Sequence, residues 1–493
     1  MTFSFMLSRL LASCVLLVLV SLPLQAQFAI PPIGTGSGVQ QIFPSGVFTG
    51  DAYTVVWNER DSSGVWRIRG ARVDLSGAVT GVIEIPFEGE EQFRPSIAFN
   101  GESHFVVWTE GPSGTSSVRG VRLSSDGRLL DIQPLALLGE GGLTNGLLAP
   151  RPASVAWSGI DWIVASSSIE NAIVARRFSA AGAPLDNEPV QLTGPGNRRD
   201  PQISCGGEDC LLVWRETGHR SNNIPIPEPD TVLAARLSRD LRNVRPVQAP
   251  DASREGQLGP DYAVWDGGRI DVAWNERRDA WMVAWSEGPG ARVVEKDGTV
   301  SGSVPIGGFG GSPTALISQG SGWLIATLAG FQPPIYYGPP VRSLGSLVIG
   351  WSDGSFAGAE EIEVRSVLKT DVARTPHLFL GLVAAPRPLV LVTAFDVATG
   401  QPSLSGYFVD QTPPRRRAVR RPAVGEAGSF AYFCGFRFKG GVFAEELPKT
   451  VRPPVTSSGG MRSFSRIGVG SRRAGRAFSI FEPGFLVAVT RSS

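Results

Sequence analysis

The chain has 493 residues, with 46 Lys+Arg against 45 Asp+Glu and with 60 Gly and 38 Pro. A net charge of +1 supplies no global field for holding a polyanion, which sets nucleic-acid binding aside. Abundant turn formers beside short runs of Val, Ile and Trp argue against a helical protein and for many strands joined by tight turns. The near-neutral total hides an asymmetry: residues 413–493 hold about 15 Lys+Arg against about 4 Asp+Glu, leaving the rest near −10.

In chain order, residues 1–26 read as a signal peptide. Arg9 is the single charge before the apolar run Leu10 to Leu24, and Ala26 offers a small residue for cleavage. The competing reading is a lipoprotein box at Leu11-Ala-Ser-Cys14, against which most of the apolar core, Val15 to Leu24, follows the cysteine. No later stretch reaches the roughly 18 apolar residues of a membrane helix. The mature chain is therefore expected to be exported, periplasmic or extracellular, without a transmembrane segment.

From residue 38 to 410 the chain repeats a strand–turn–strand phrase seven times. Pro95-Ser-Ile-Ala-Phe-Asn-Gly with Phe105-Val-Val-Trp108 corresponds to Pro201-Gln-Ile-Ser-Cys-Gly-Gly with Leu211-Leu-Val-Trp214, and to Asp271-Val-Ala-Trp with Trp281-Met-Val-Ala-Trp285. Such a period marks radial or stacked β architecture. Each copy reads as four strands, A to D, with A–B pairs near 46–57, 95–108, 153–165, 201–214, 271–285, 313–327 and 377–394. In the second copy, C is read as Val118 to Leu123 and D as Ile132 to Leu137, after the Ser-Ser-Asp-Gly turn at 124–127. Strand C carries Arg before an apolar residue at Arg72, Arg122, Arg177, Arg236 and Arg292, which are read as one equivalent position.

The seventh copy ends after its C strand, Leu404 to Val409, while Gly38 to Phe43 resembles an orphan D strand. A missing D at one end and a spare one at the other predict a ring closed by its own N-terminus, without exposed strand edges. The fold class is thus an all-β, seven-bladed β-propeller closed by an N-terminal outer strand, with a β-solenoid as the alternative. The phrase resembles the Trp-containing propeller-like repeats of bacterial exported proteins, in which strand B ends in Val-Val-Trp followed by an acidic residue. The resemblance covers about residues 38–410 and implies a secreted propeller without implying any chemistry.

Four copies place Glu two residues past the strand-B Trp, at Glu59, Glu110, Glu216 and Glu287. They read either as an acidic ring for a cation or basic ligand, or as structural caps; recurrence across blades favours the structural reading. Cys205 and Cys210 face each other across the A–B turn of the fourth copy and are expected to form a disulfide. A metal site would need more ligands than Cys434 and the scattered His104, His219 and His377 supply, so no metal and no cofactor is expected. Signatures of a Gly-x-Ser-x-Gly elbow, a His-Glu-x-x-His helix and a phosphate loop are absent. Two turns, at 124–127 and 352–356, lack the Asp-to-Gly spacing of sialidase Asp boxes.

Three long connections leave what should be one face of the propeller: 217–229 with His219 and Arg220, 249–269 with Tyr262 and Trp265, and 329–344 with Phe331, Tyr336 and Tyr337. Aromatic loops over a rigid scaffold suit a binding surface, although Pro-rich loops also serve as padding. Residues 411–423 form a basic Pro/Arg linker, and 424–493 are either a poorly ordered tail or a partial extra blade. The leading functional expectation is a monomeric binding or scaffold module for an unknown protein or glycan. The alternative is an exported carbohydrate-active hydrolase or lyase using carboxylates at the channel mouth.

Overall fold

The computed structural model describes residues 27–34, 38–60, 62–85, 90–111, 116–140, 152–216, 231–252, 256–258, 270–285, 290–305, 314–329, 342–355, 360–371, 379–396 and 401–409. They form seven four-stranded antiparallel sheets. Blade 1 comprises Gln40–Phe48, Ala52–Arg60, Trp66–Asp74 and Val79–Glu84, and blade 2 comprises Gln92–Phe99, Ser103–Glu110, Ser117–Ser124 and Leu135–Glu140. Blade 3 comprises Ser154–Trp157, Trp162–Ser167, Ile173–Phe178 and Val190–Gln191; blade 4 comprises Arg198–Gly206, Asp209–Glu216, Thr231–Ser238 and Val244–Pro246. Blade 5 comprises Ile270–Asn275, Ala280–Trp285, Gly290–Glu295 and Val304–Pro305; blade 6 comprises Thr314–Gln319, Gly322–Ala329, Arg342–Ser352 and Glu360–Asp371. Blade 7 takes Phe379–Val383, Leu389–Asp396 and Gln401–Phe408 from the C-terminal side and Phe28–Ile30 from the N-terminal side. The A strands touch one another in succession around the ring, and those of blades 7 and 1 complete it. The chain is a seven-bladed β-propeller.

The apolar B strands follow from this geometry, because each is sandwiched between two neighbouring blades and must be apolar on both faces. In Ala52–Arg60 every residue but the last is buried. The Trp that ends strand B packs against the preceding blade: Trp57 against Leu389, Leu391 and Leu404, Trp108 against Val56, Ile68 and Ile83, and Trp285 against Leu211, Val213 and Ala234. Polar side chains stitch the inner strands together. Ser154 Oγ accepts the Ile203 N–H at 3.2 Å, Ser204 Oγ accepts that of Trp274 at 3.1 Å, and Asp271 Oδ2 accepts that of Leu316 at 2.8 Å.

Ring closure by the N-terminus occurs, but through a different segment from the one expected. Phe28–Ile30, not Gly38 to Phe43, pairs with Leu404 to Gly406, and Gln40–Phe48 is the innermost strand of blade 1. The decisive contact is a fit that alternation cannot reveal. The Phe28 ring covers Gly406, where an added Cβ would lie 2.3 Å from Phe28 Cζ, and Gly77, where it would lie 2.7 Å from Cδ1. Gln41 joins the same blades by accepting the Leu404 N–H at 3.0 Å. In blade 2 strand D begins at Leu135, three residues later than expected, because the Asp131 carboxylate first turns back to accept the Arg122 N–H at 2.7 Å.

The strand-C arginines do not all share one position. Arg72, Arg122, Arg177 and Arg236 stand opposite Thr54, Phe105, Ile163 and Leu211, each three residues before the Trp position of strand B. Arg292 stands opposite Val283, two residues before Trp285, so its side chain leaves the other side of the blade and reaches Asp251 of blade 4 at 2.6 Å. Every one of the five has an aspartate partner: Asp51, Asp131, Asp186, Asp209 and Asp251 in turn.

The segments predicted as signal peptide (1–26), linker (411–423) and C-terminal region (424–493) lie outside the described residues. Among the described residues no helix is long and apolar enough to cross a membrane.

Candidate functional site

Each blade directs its B–C and D–A connections to one face, here called the upper face, and its A–B and C–D turns to the lower face. Strand A therefore starts on the upper face. In blades 1, 2 and 4 it starts with a bulge, at which the register shifts between Ile42 and Ser45, Phe93 and Ser96, and Arg199 and Gln202. Each bulge holds a non-glycine residue in the left-handed region directly before a proline: Phe43 (φ 54°), Arg94 (φ 52°) and Asp200 (φ 55°). This conformation is uncommon for any residue with a Cβ, and strain of this kind persists where the surroundings over-determine it. At Arg94 the surroundings are visible: buried Asn58 of blade 1 accepts the Arg94 N–H at 2.6 Å and donates to Gln92 O at 2.6 Å.

The three bulges converge at the upper mouth of the channel. Arg94 of blade 2 approaches Asp200 of blade 4 at 3.8 Å, so the pair reaches past the intervening blade 3. The Arg94 guanidinium also lies 4.8 Å from the centroid of Phe43, whose ring sits 3.9 Å from that of Phe379 in blade 7. From beneath, Arg215 donates to Asp200 through Nε at 2.9 Å and through Nη2. Burial alone would raise the Asp200 carboxyl, but the guanidinium groups of Arg215, Arg94 and Arg199 outweigh it and hold the group far below the ordinary carboxylate range. Three guanidinium groups thus act on the Asp200 carboxylate. Such an arrangement can receive a second anionic group, and the Phe43–Phe379 pair offers an apolar floor beside it.

Three of the four predicted acidic positions are engaged within the protein. Glu59 is 2% exposed and accepts the Ile33 N–H at 3.0 Å, the Gly34 N–H at 2.5 Å and Trp57 Nε1 at 3.0 Å, so it ties the closing segment to blade 1. Glu110 accepts Trp108 Nε1 at 3.0 Å, repeating the Trp-to-Glu bond, whereas Glu216 pairs with Arg198 at 2.8 Å. Glu287 and the predicted loop residues His219, Arg220, Tyr262, Trp265, Phe331, Tyr336 and Tyr337 lie outside the described residues. Cys205 and Cys210 form a disulfide on the lower face, at opposed positions of the A–B hairpin. Among the described residues no group of three or more His, Cys, Asp or Glu is placed to hold a metal. His104 is fully buried beside Ser124 O, 3.0 Å from Nδ1, and burial lowers its pKa so that it stays neutral.

Arg94, Asp200 and Phe43 were not among the residues the repeat singled out. A signal for them exists in the sequence: each stands directly before the proline that opens its strand, in Phe43-Pro44, Arg94-Pro95 and Asp200-Pro201. What they meet across the ring carries no such signal.

No family model and no curated protein matches the sequence. Among solved structures the chain is similar to an ulvan lyase of polysaccharide lyase family PL25, at 11% identity and a TM-score of 0.48 over 78% of this chain and 96% of the other. It is also similar to a GH43 endo-arabinanase from Bacillus licheniformis, at 11% identity and a TM-score of 0.35 over 55% and 99% of the two chains. An α-L-arabinofuranosidase from Fusarium graminearum matches at 10% identity and a TM-score of 0.41 over 75% and 93%.

Proposed function

We propose that the protein is an exported, non-catalytic binding module that holds a protein or glycan ligand on the upper face of the propeller, with an acidic group of the ligand seated at the channel mouth by Arg94, Arg199 and Arg215. The observation that carries this reading is the gathering of three guanidinium groups around Asp200 at the channel mouth, at positions the other blades do not repeat. A repeated residue builds scaffold, whereas one binding site in a ring of similar blades needs residues peculiar to some of them. Arginine suits the task because its planar fork matches carboxylate and sulfate oxygens. Export rests on the reading of residues 1–26.

The test is an array of neutral, uronate-bearing and sulfated glycans together with acidic peptides, run beside a panel of hydrolase and lyase assays. The acidic members should bind, should weaken as salt rises, and should lose at least tenfold in affinity to Arg94→Ala. Retention undiminished by Arg94→Ala, or indifference to acidic ligands, overturns the reading. Turnover abolished by Glu110→Gln or Arg94→Ala would replace the binding module with an enzyme.

A further inference from the structure

The residue one past the strand-B Trp differs from blade to blade: Asn58 in blade 1, Thr109 in blade 2 and Arg215 in blade 4. Glu59 and Glu110, one residue further on, leave the opposite side of the strand and serve the scaffold. Arg215 bears on Asp200 at the channel mouth. Asn58 holds the corresponding place in blade 1, and it bears on Arg94.

Asn58 is fully buried at the end of Ala52–Arg60, and its single amide group spans the blade 2 bulge. Oδ1 accepts the Arg94 N–H at 2.6 Å while Nδ2 donates to Gln92 O at 2.6 Å. The residues on either side of Phe93 are thus pinned to one side chain. Gln92 returns the contact, since its Oε1 accepts the Ile68 N–H of blade 1 at 2.9 Å. The backbone held in this way is one that Arg94 would not choose by itself. It stands at φ 52°, where a residue with a Cβ is disfavoured. It also stands directly before Pro95, a place that favours extended backbone at negative φ.

We propose that Asn58 is a positioning residue for the anion site: it touches no ligand, and its amide fixes the left-handed backbone that carries the Arg94 guanidinium to Asp200. The proposal rests on the reading of Arg94 as a ligand-binding group. Apparent affinity scales with the fraction of molecules already in the binding conformation, so Asn58 contributes affinity without contact. The place calls for an acceptor and a donor on one short side chain, which an amide supplies and a carboxylate or an aliphatic group does not.

Calorimetric titration of the full chain with trigalacturonate and with a sulfated disaccharide tests the proposal. Asn58→Leu, close to isosteric, should weaken the better probe at least fivefold in a protein that remains folded, as expected when strained backbone loses its clamp. In the Arg94→Ala background the same substitution should change affinity less than twofold, because no guanidinium remains to be placed. Gln92→Met removes the Ile68 acceptor from the same interface and leaves the Gln92 carbonyl where it is. It should lower Tm yet hold affinity within twofold, which is how a merely structural Asn58 would behave. Asn58→Ala replaces Asn58→Leu if the latter does not fold. Unchanged affinity in the folded Asn58 variant, an equal loss in the Arg94→Ala background, or an equal loss on Gln92→Met overturns the proposal. If neither probe binds the wild-type protein, the anion-site reading fails by itself, and crystal structures of the wild type and the Asn58 variant decide whether Asn58 places Arg94. Relaxation of Arg94 to negative φ upholds that role, whereas φ kept near 52° with the guanidinium still beside Asp200 overturns it.

Discussion

Arginine appears in two settings in this propeller, and the contrast between them separates scaffold from site. Along the C strands each arginine has its own aspartate, as in Arg122–Asp131 and Arg177–Asp186, both at 2.6 Å. These pairs neutralise themselves and hold hairpins in shape. At the channel mouth Arg94, Arg199 and Arg215 gather around Asp200, on three different strands of blades 2 and 4. The same residue type therefore stands singly beside its own aspartate in one region and clusters in the other, where Arg94 is held on left-handed backbone.

The largest test of the scaffold side is the closing strand. Deleting residues 27–34 removes the Phe28–Ile30 ladder, strips Glu59 of its Ile33 and Gly34 donors, and exposes the blade 7 edge. Chemical denaturation should show a loss of at least about 5 kcal/mol, since two apolar side chains, a short ladder and a buried carboxylate all lose their partners, and light scattering should show association through the freed edge. Gly406→Val should reproduce much of this, because its side chain collides with the Phe28 ring. A deletion variant with unchanged stability would mean that the ring is held closed by other contacts.

Next in size is Arg215→Met. Arg215 is 4% exposed and bonds Asp200 directly, so its removal should cost about 2–4 kcal/mol. Adding Asp200→Asn should recover part of that loss, and the double-mutant cycle measures how much. Asp200→Asn alone should tighten binding of acidic ligands severalfold at low salt by removing the competing internal anion. Weaker binding in that variant would mean that Asp200 serves the ligand directly.

Acid exposes a smaller effect. Burial lowers the His104 pKa from its ordinary value of 6.5, so the unfolded chain takes up a proton before the native one does. Stability should be intact above that value and fall as pH drops through it, with His104→Phe flattening this part of the profile in a Tm series. Asp200 works in the same direction at lower pH: its folded pKa is depressed, so its contribution is present above the ordinary carboxylate value and is lost as pH falls through the folded one. The smallest effect belongs to Arg72→Ala. Its partner Asp51 is 75% exposed, and a pair of this kind contributes about 0–1 kcal/mol; a loss beyond 2 kcal/mol would place the pair among the structural supports.

Much of the scaffold was legible in the sequence because it rests on local rules. Alternation, the Trp ending strand B, and the Asp-Gly and Asn-Gly turns specify four strands per repeat, and opposed cysteines on one hairpin specify their own bridge. Legibility ended where contacts cross the ring. The sequence pointed to 38–43 as the closing strand, and the use of 28–30 instead depends on the Phe28 ring finding the glycine surfaces of Gly77 and Gly406, far along the chain. The five strand-C arginines look alike in sequence, yet a one-residue register difference in blade 5 sends Arg292 to the opposite side.

By itself, then, the sequence determined the repeat, the number of blades, closure by the N-terminus and the hairpin disulfide, all consequences of short-range patterning and of a period that only a ring completes. The tertiary structure decided which strand closes the ring, and that Arg94 of blade 2 and Asp200 of blade 4 meet at the upper mouth. The physical reason is common to both: each depends on side chains from different blades arriving at one point, and blade-to-blade geometry is set by packing between sheets, which no local pattern encodes.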